Sequence, residues 1–134
     1  MNNIFYPFIG SAQIEFGFSR KKVQEILGSN FKEFKRNVYA ENTLDYYIEL
    51  NMFIEYDKSN LCNAIEFSAP NNLMYNNQNL FDLTYLNLIA QFKNKSKKFS
   101  QDEFGITFYD LGFGVFIIEL DKIETINIFS KDYW

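Results

Sequence analysis

What this chain lacks narrows its chemistry first. It contains no histidine, which removes Ser-His and Cys-His nucleophile systems and every imidazole metal site. Its single cysteine, Cys62, has no internal disulfide partner and points to a reducing compartment. Set within strand-like sequence, that thiol reads as a small buried hydrophobe. The opening stretch MNNIFYPFIGSAQ has no basic start and no long apolar run, so it predicts neither signal peptide nor membrane span, and the cytoplasm is the expected compartment. No GxxxxGK[ST] or GxGxxG stretch occurs, and the GFG of Gly112–Gly114 reads as turn glycine. Basic charge is in deficit: 13 Lys and Arg stand against 17 Asp and Glu, for a net charge of −4. That balance disfavours nucleic acid and an anionic membrane surface as partners. No cofactor and no metal are expected.

What is present is apolar and aromatic. Hydrophobic residues make up 47% of the 134 positions, which excludes general disorder and fits one domain over residues 1–134. The 16 Phe and 9 Tyr exceed the needs of a small core, so some rings are expected at the surface, in recognition roles. Charge is distributed in blocks. Residues 1–44 carry six bases and four acids, and 67–100 four bases and one acid; 45–66 carries five acids and one base, and 101–134 seven acids and two bases. The base-rich blocks read as helical and the acid-rich blocks as strands, which predicts a negative side and a more positive side.

The stretch Leu44–Ser68 is echoed by Gly105–Ser130. A shift of 61 positions carries Leu50, Ile65 and Phe67 onto Leu111, Ile126 and Ile128, and Phe31 and Lys32 onto Phe92 and Lys93. A constant offset suggests two copies of one unit, at about 13–68 and 80–130. In the first, Ser19 caps a helix with Val23, Ile26 and Leu27 on one face, and Gly28 stops it. Strands follow at Leu44–Ile48, Asn51–Asp57 and Leu61–Ser68, the last two joined by the tight turn Asp57-Lys58-Ser59-Asn60. In the second, Thr84 caps a helix over Tyr85–Lys93, its buried stripe either Leu86, Ile89 and Phe92 or Leu88 and Phe92. Strands follow at Phe104–Asp110, Gly114–Leu120 and Ile123–Phe129, with Gly112 and Gly114 at a bulge or turn. Ile4–Ile9 and Gln13–Phe16 read as short strands, and Ala69–Asn79 as the link. The predicted class is α+β: two tandem helix-plus-three-strand repeats forming one antiparallel sheet with both helices on one face.

Alternation along the second and third strands places Met52, Ile54 and Tyr56 on one face and Phe53, Glu55 and Asp57 on the other, and sets Ile65 and Phe67 against Ala64, Glu66 and Ser68. Glu55 and Glu66 form a carboxylate pair across the hairpin, which reads as a solvated face before it reads as acid–base machinery. The lysines at 21, 22, 93, 95, 97 and 98 read as solubilising helix faces before a phosphate patch. No catalytic residue is expected. The partner-binding candidates are the carboxylates Glu49, Glu55, Asp57, Glu66, Asp110, Glu119 and Asp121, with Phe53 and the anchor rings Tyr47, Tyr109 and Trp134. Carboxylates steer a basic partner and rings supply desolvated anchors. The facing of each unit's first strand stays open.

The segments GFSRKKVQEILG, LNMFIEYDKSNLCNAIEF and YDLGFGVFIIELDKIETINIFSKDYW resemble a group of small bacterial proteins built on the plan G-x-S-x-x-x-V-x-x-x-L-G, hairpin, repeat. The tandem plan also resembles the β-lactamase inhibitory protein fold, in which a sheet surface grips another protein. The resemblance implies a cytoplasmic immunity protein that occludes a cognate toxin, a basic nuclease domain, through an acidic aromatic sheet face. The alternative is a structural or regulatory interaction module, with a homodimer among its forms. Oligomeric state stays open.

Overall fold

Two capped helices carry the elements that cover the sheet. In this computed structural model, which describes residues 2–119 and 121–134, α1 spans Arg20–Leu27 and α2 spans Tyr85–Phe92. Ser19 Oγ accepts the Lys22 N–H at 3.1 Å and Thr84 Oγ1 accepts the Asn87 N–H at 3.1 Å, each satisfying one orphan donor of a first turn. The buried stripes are narrower than expected. Of the three apolar residues assigned to the α1 face, Val23 is buried, Leu27 is partly buried and Ile26 is exposed. In α2 the stripe is Tyr85, Leu88 and Phe92; Leu86 points to solvent. Among the described residues no helix is long and apolar enough to cross a membrane.

The strands are β1 (Lys32–Phe34), β2 (Leu44–Tyr47), β3 (Met52–Tyr56), β4 (Cys62–Ser68), β5 (Met74–Tyr75), β6 (Gln78–Asn79), β7 (Phe99–Asp102), β8 (Gly105–Phe108), β9 (Phe113–Phe116) and β10 (Thr125–Phe129). Eight of them build one antiparallel sheet in the order β1-β2-β3-β4-β10-β9-β8-β7, while β5 and β6 make a separate hairpin in the link. The α+β class with one large antiparallel sheet is therefore observed. Each half contributes four strands where three were expected, because β1 and β7 add themselves at the two edges. Ile4–Ile9 and Gln13–Phe16 form isolated bridges, not strands. The later strands are shorter than read: β9 starts at Phe113 and ends at Phe116, and β10 starts at Thr125. Leu120, the expected end of the ninth strand, lies outside the described residues.

Pairing registers place the core. Met52, Ile54 and Tyr56 share a face with Ile65, Phe67, Ile126, Ile128, Phe113, Val115, Ile106 and Phe108. Val23 of α1 and Tyr85, Leu88 and Phe92 of α2 join these in one core cluster, so both helices lie on that side. The N-terminal segment fills the space between, with the Phe5 ring 5.6 Å from Phe113 and the Phe5 N–H donating to Met74 O at 2.8 Å.

The two halves use matching ladders. Asp45↔Ile54 and Ile54↔Ile65 on one side become Ile106↔Val115 and Val115↔Ile126 on the other, each residue moved by 61 positions. The offset breaks at the edges: Lys32 pairs with Tyr46, whereas the residue beside Thr107 is Ser100, 68 positions on from Lys32.

Candidate functional site

The side of the sheet away from the helices carries one residue from every strand in a single row: Lys32, Tyr46, Phe53, Glu66, Asn127, Gly114, Thr107 and Ser100. Such a row forms because directly paired residues of antiparallel strands project to the same face. Its left part is aromatic. Tyr46 and Phe53 stack at 4.2 Å, and Phe34 stands edge-on to both at 6.4 and 6.0 Å. Its right part is small and polar.

Two segments cross this face. From the loop of residues 35–43, Arg36 reaches Glu55 at 3.5 Å and Glu66 at 3.6 Å and lies over the Phe53 ring at 5.6 Å. From the C-terminal tail, the Tyr133 hydroxyl donates to Glu55 Oε1 at 2.8 Å while its ring stacks on Phe129 at 5.8 Å. Two carboxylates thus share one guanidinium. Burial pushes the Glu66 carboxyl above its usual range; Arg36 pulls it back down and Glu55 adds to the rise. Burial and the adjoining Glu55 carboxylate raise the Tyr133 phenol. Strongly exposed apolar side chains stand on the same two segments and on β9: Val38 (81%), Tyr39 (90%), Trp134 (65%) and Phe116 (37%).

The expected contact residues are dispersed by the fold. Phe53, Glu55 and Glu66 do share the open face. Tyr109 and Trp134 meet at its far end, rings 5.3 Å apart, and the Tyr109 and Ser100 hydroxyls are hydrogen-bonded. Tyr47 is on the opposite face, 1% exposed, its hydroxyl donating to Gly28 O at 3.3 Å. Burial, with Asp45 nearby, pushes its phenol up to about 12. The outward ring of β2 is Tyr46, so the expected exposure of Tyr47 is corrected. Glu49 lies in a 3-10 turn over Ile48–Leu50. Asp57 accepts the Ser59 and Leu61 N–H groups and shapes the β3–β4 turn. Asp110 accepts from Ser96 Oγ and the Lys97 N–H; slight desolvation would raise its carboxyl, but these bonds together hold it below the usual range. Glu119 and Asp121 sit exposed in the β9–β10 loop. Of the seven carboxylates expected on or beside the strands, Glu55 and Glu66 stand on the sheet and the other five lie in the adjoining turns and loops.

Sequence reasoning missed Arg36, Tyr46, Tyr133, Asn127, Gly114 and Thr107. Asn127 alone left a signal, a polar residue inside the apolar run TINIF. Open clefts of about 410 and 420 Å³ meet around Asp57, Asn63 and Asp132 at the end of β4. Among the described residues no group of three His, Cys, Asp or Glu is arranged to hold a metal. Cys62 is buried, and desolvation pushes its thiol up to about 12, which leaves it a poor nucleophile where it stands. Comparison with family models, with curated proteins and with solved structures finds no match to this chain.

Proposed function

We propose that this chain is a non-catalytic binding protein of the immunity type, which occludes a cognate toxin through the face of the sheet away from its helices. The observation that carries the reading is the set of exposed rings and aliphatics, Val38, Tyr39, Trp134 and Phe116, on the same strand and crossing segments that bring together the part-exposed ion cluster of Glu55, Arg36 and Glu66. Exposed apolar groups bordering a polar, partly buried core are the usual make-up of a protein contact. The mode of binding is the one the sequence plan implies, a sheet surface that grips another protein. Steering of a basic nuclease domain falls to the net charge of −4 and to the acidic loops; the grip falls to the rings.

Co-expression of this chain with the product of the neighbouring reading frame tests the proposal. Protection is expected for the parent chain and loss of protection for Tyr39→Ala with Trp134→Ala. No protection by the parent chain sinks the immunity reading. Full protection by the double variant sinks this surface.

A second reading is self-association through a sheet edge, since β7 is exposed along its length. Sedimentation of the isolated chain decides it: a dimer broken by a proline in β7 supports it, and a monomer removes it. We also infer that the two halves derive from one duplicated unit. Its support is the 61-position offset shared by two pairs of ladders. A relative carrying a single unit is expected to dimerise through its β4 edge.

A further inference from the structure

We propose that the cleft at the β1 edge of the sheet binds a small aromatic carboxylate, with its ring inward and its acid group at the rim. This goes beyond the reading above and does not depend on it, since the ligand is a free small molecule and not a partner protein.

Residues 30–34 and 46–48 border an open cleft of about 480 Å³, inside the span of roughly 300–1,000 Å³ usual for small-ligand sites. Its walls are apolar: the rings of Phe31, Phe34 and Tyr46, and Ile48, which is 60% exposed. The rings are held from behind. Phe31 lies 5.3 Å from the buried Tyr47 ring, and Phe34 stands edge-on to Tyr46 at 6.4 Å and to Phe53 at 6.0 Å. A further ring entering here meets faces and edges already in place.

The other edge of the sheet shows that the fold does not require such a cleft. At the β1 edge Lys32 pairs with Tyr46 and Phe34 with Leu44. Moved by 61 positions, the two partners become Thr107 and Gly105, and opposite them stand Ser100 and Asp102. Where one edge places a ring, the other places a carboxylate.

Three polar side chains border the cleft: the Asn30 amide, the Lys32 ammonium and the Tyr46 phenol. None of these groups is hydrogen-bonded or ion-paired to another among the described residues. Each carries a donor. Among the described residues Lys32 is the one charge in the lining. Glu33, next to it in the chain, meets Arg20 at 3.2 Å and leaves that charge uncompensated. A cationic ligand would be repelled, and a polyphosphate needs more than one lysine to hold it. An aromatic ring with one carboxylate matches what is present. Its body covers the rings, and its acid meets Lys32, with Tyr46, the directly paired neighbour, as a second donor.

The test is a titration of the intact protein with hydrocinnamate, followed by amide NMR, against hydrocinnamamide as the neutral isostere. Saturable shifts centred on residues 30–34 and 46–48 are expected, with the amide binding about tenfold weaker. Lys32→Gln is expected to bring the acid down to the affinity of the amide and to leave the amide's own affinity unchanged. Lys32 is exposed, so the melting temperature should stay that of the parent. Ile48→Ala is expected to weaken both probes alike, through lost apolar contact. Equal binding of acid and amide by the parent chain would overturn the proposal. So would hydrocinnamate binding unchanged by Lys32→Gln, shifts centred on the crevice between Phe5, Tyr75 and Phe113, or no saturable shift at all.

Discussion

α1 is held to the sheet by a charge and α2 by rings. From α1, Arg20 and Gln24 both donate to Asp45, at 2.7 and 2.9 Å, and the Tyr56 hydroxyl completes the set at 2.9 Å. Asp45 is fully buried, and the Arg20 guanidinium also lies over the Tyr56 ring at 4.4 Å. Among the described residues α2 has no such knot. Its Phe92 ring stands 5.1 Å from Phe113 and 6.3 Å from Phe108, with Leu88 and Tyr85 beside it. The place in the ladder that holds Asp45 in the first half holds Ile106 in the second. α1 buries one apolar residue fully and α2 buries three, so the helix with little apolar surface is the one fastened by charge. A buried carboxylate is tolerated there because its oxygens are bonded to three donors.

Breaking the knot gives the largest expected effect. Asp45→Ala leaves Arg20 facing a cavity without its buried counter-ion, the exposed Glu33 carboxylate at 3.2 Å being a weaker, solvated partner, and is expected to cost about 3–5 kcal/mol in urea unfolding. Asp45→Ile combined with Arg20→Met, which rebuilds the first half on the pattern of the second, is expected to recover most of that loss. A value for Asp45→Ala no larger than a surface substitution would remove the contrast between the halves. On the other side, Leu88→Ala is expected to cost about 2–5 kcal/mol by the same measurement, through lost burial and the cavity left behind. Cap removal sharpens the comparison, because both caps have equal lengths: Ser19→Ala and Thr84→Ala are each expected to cost about 1 kcal/mol. A large difference between them would mean that the caps, not the docking, distinguish the helices.

The smallest effect concerns Glu66. Its folded pKa is raised, so the native state binds its proton more tightly than the unfolded chain does, and this group's contribution to stability falls as pH rises through that folded value. Glu66→Gln is therefore expected to raise the melting temperature slightly at neutral pH. The gain should vanish as pH falls toward the ordinary glutamate range. A gain that grows on acidification would reverse the assignment.

Much of the local structure was legible in the chain. Ser19, Thr84 and Gly28 marked helix ends, and strict alternation over Met52–Tyr56 gave the facing of β3. The turn at Asp57–Asn60 announced itself by composition. By contrast, Lys-Glu-Phe of β1 and Phe-Ser-Gln-Asp of β7 carry no alternation, because edge strands bury little and need none. In Leu44-Asp45-Tyr46-Tyr47 a buried aspartate sits where an apolar residue would mark the core side, so the alternation does not show that Tyr47 is the inward ring. The sequence by itself determined the class of fold, the helix caps and the parity of the central strands, since each depends on hydrogen bonds and periodicity within a few residues. Tertiary structure alone decided that Arg36 and Tyr133 converge on Glu55, and that Asn127 stands over Gly114 beside Glu66. Those meetings depend on register between strands some 60 residues apart and on two segments folding back over the sheet, and neither leaves a periodic mark in the chain.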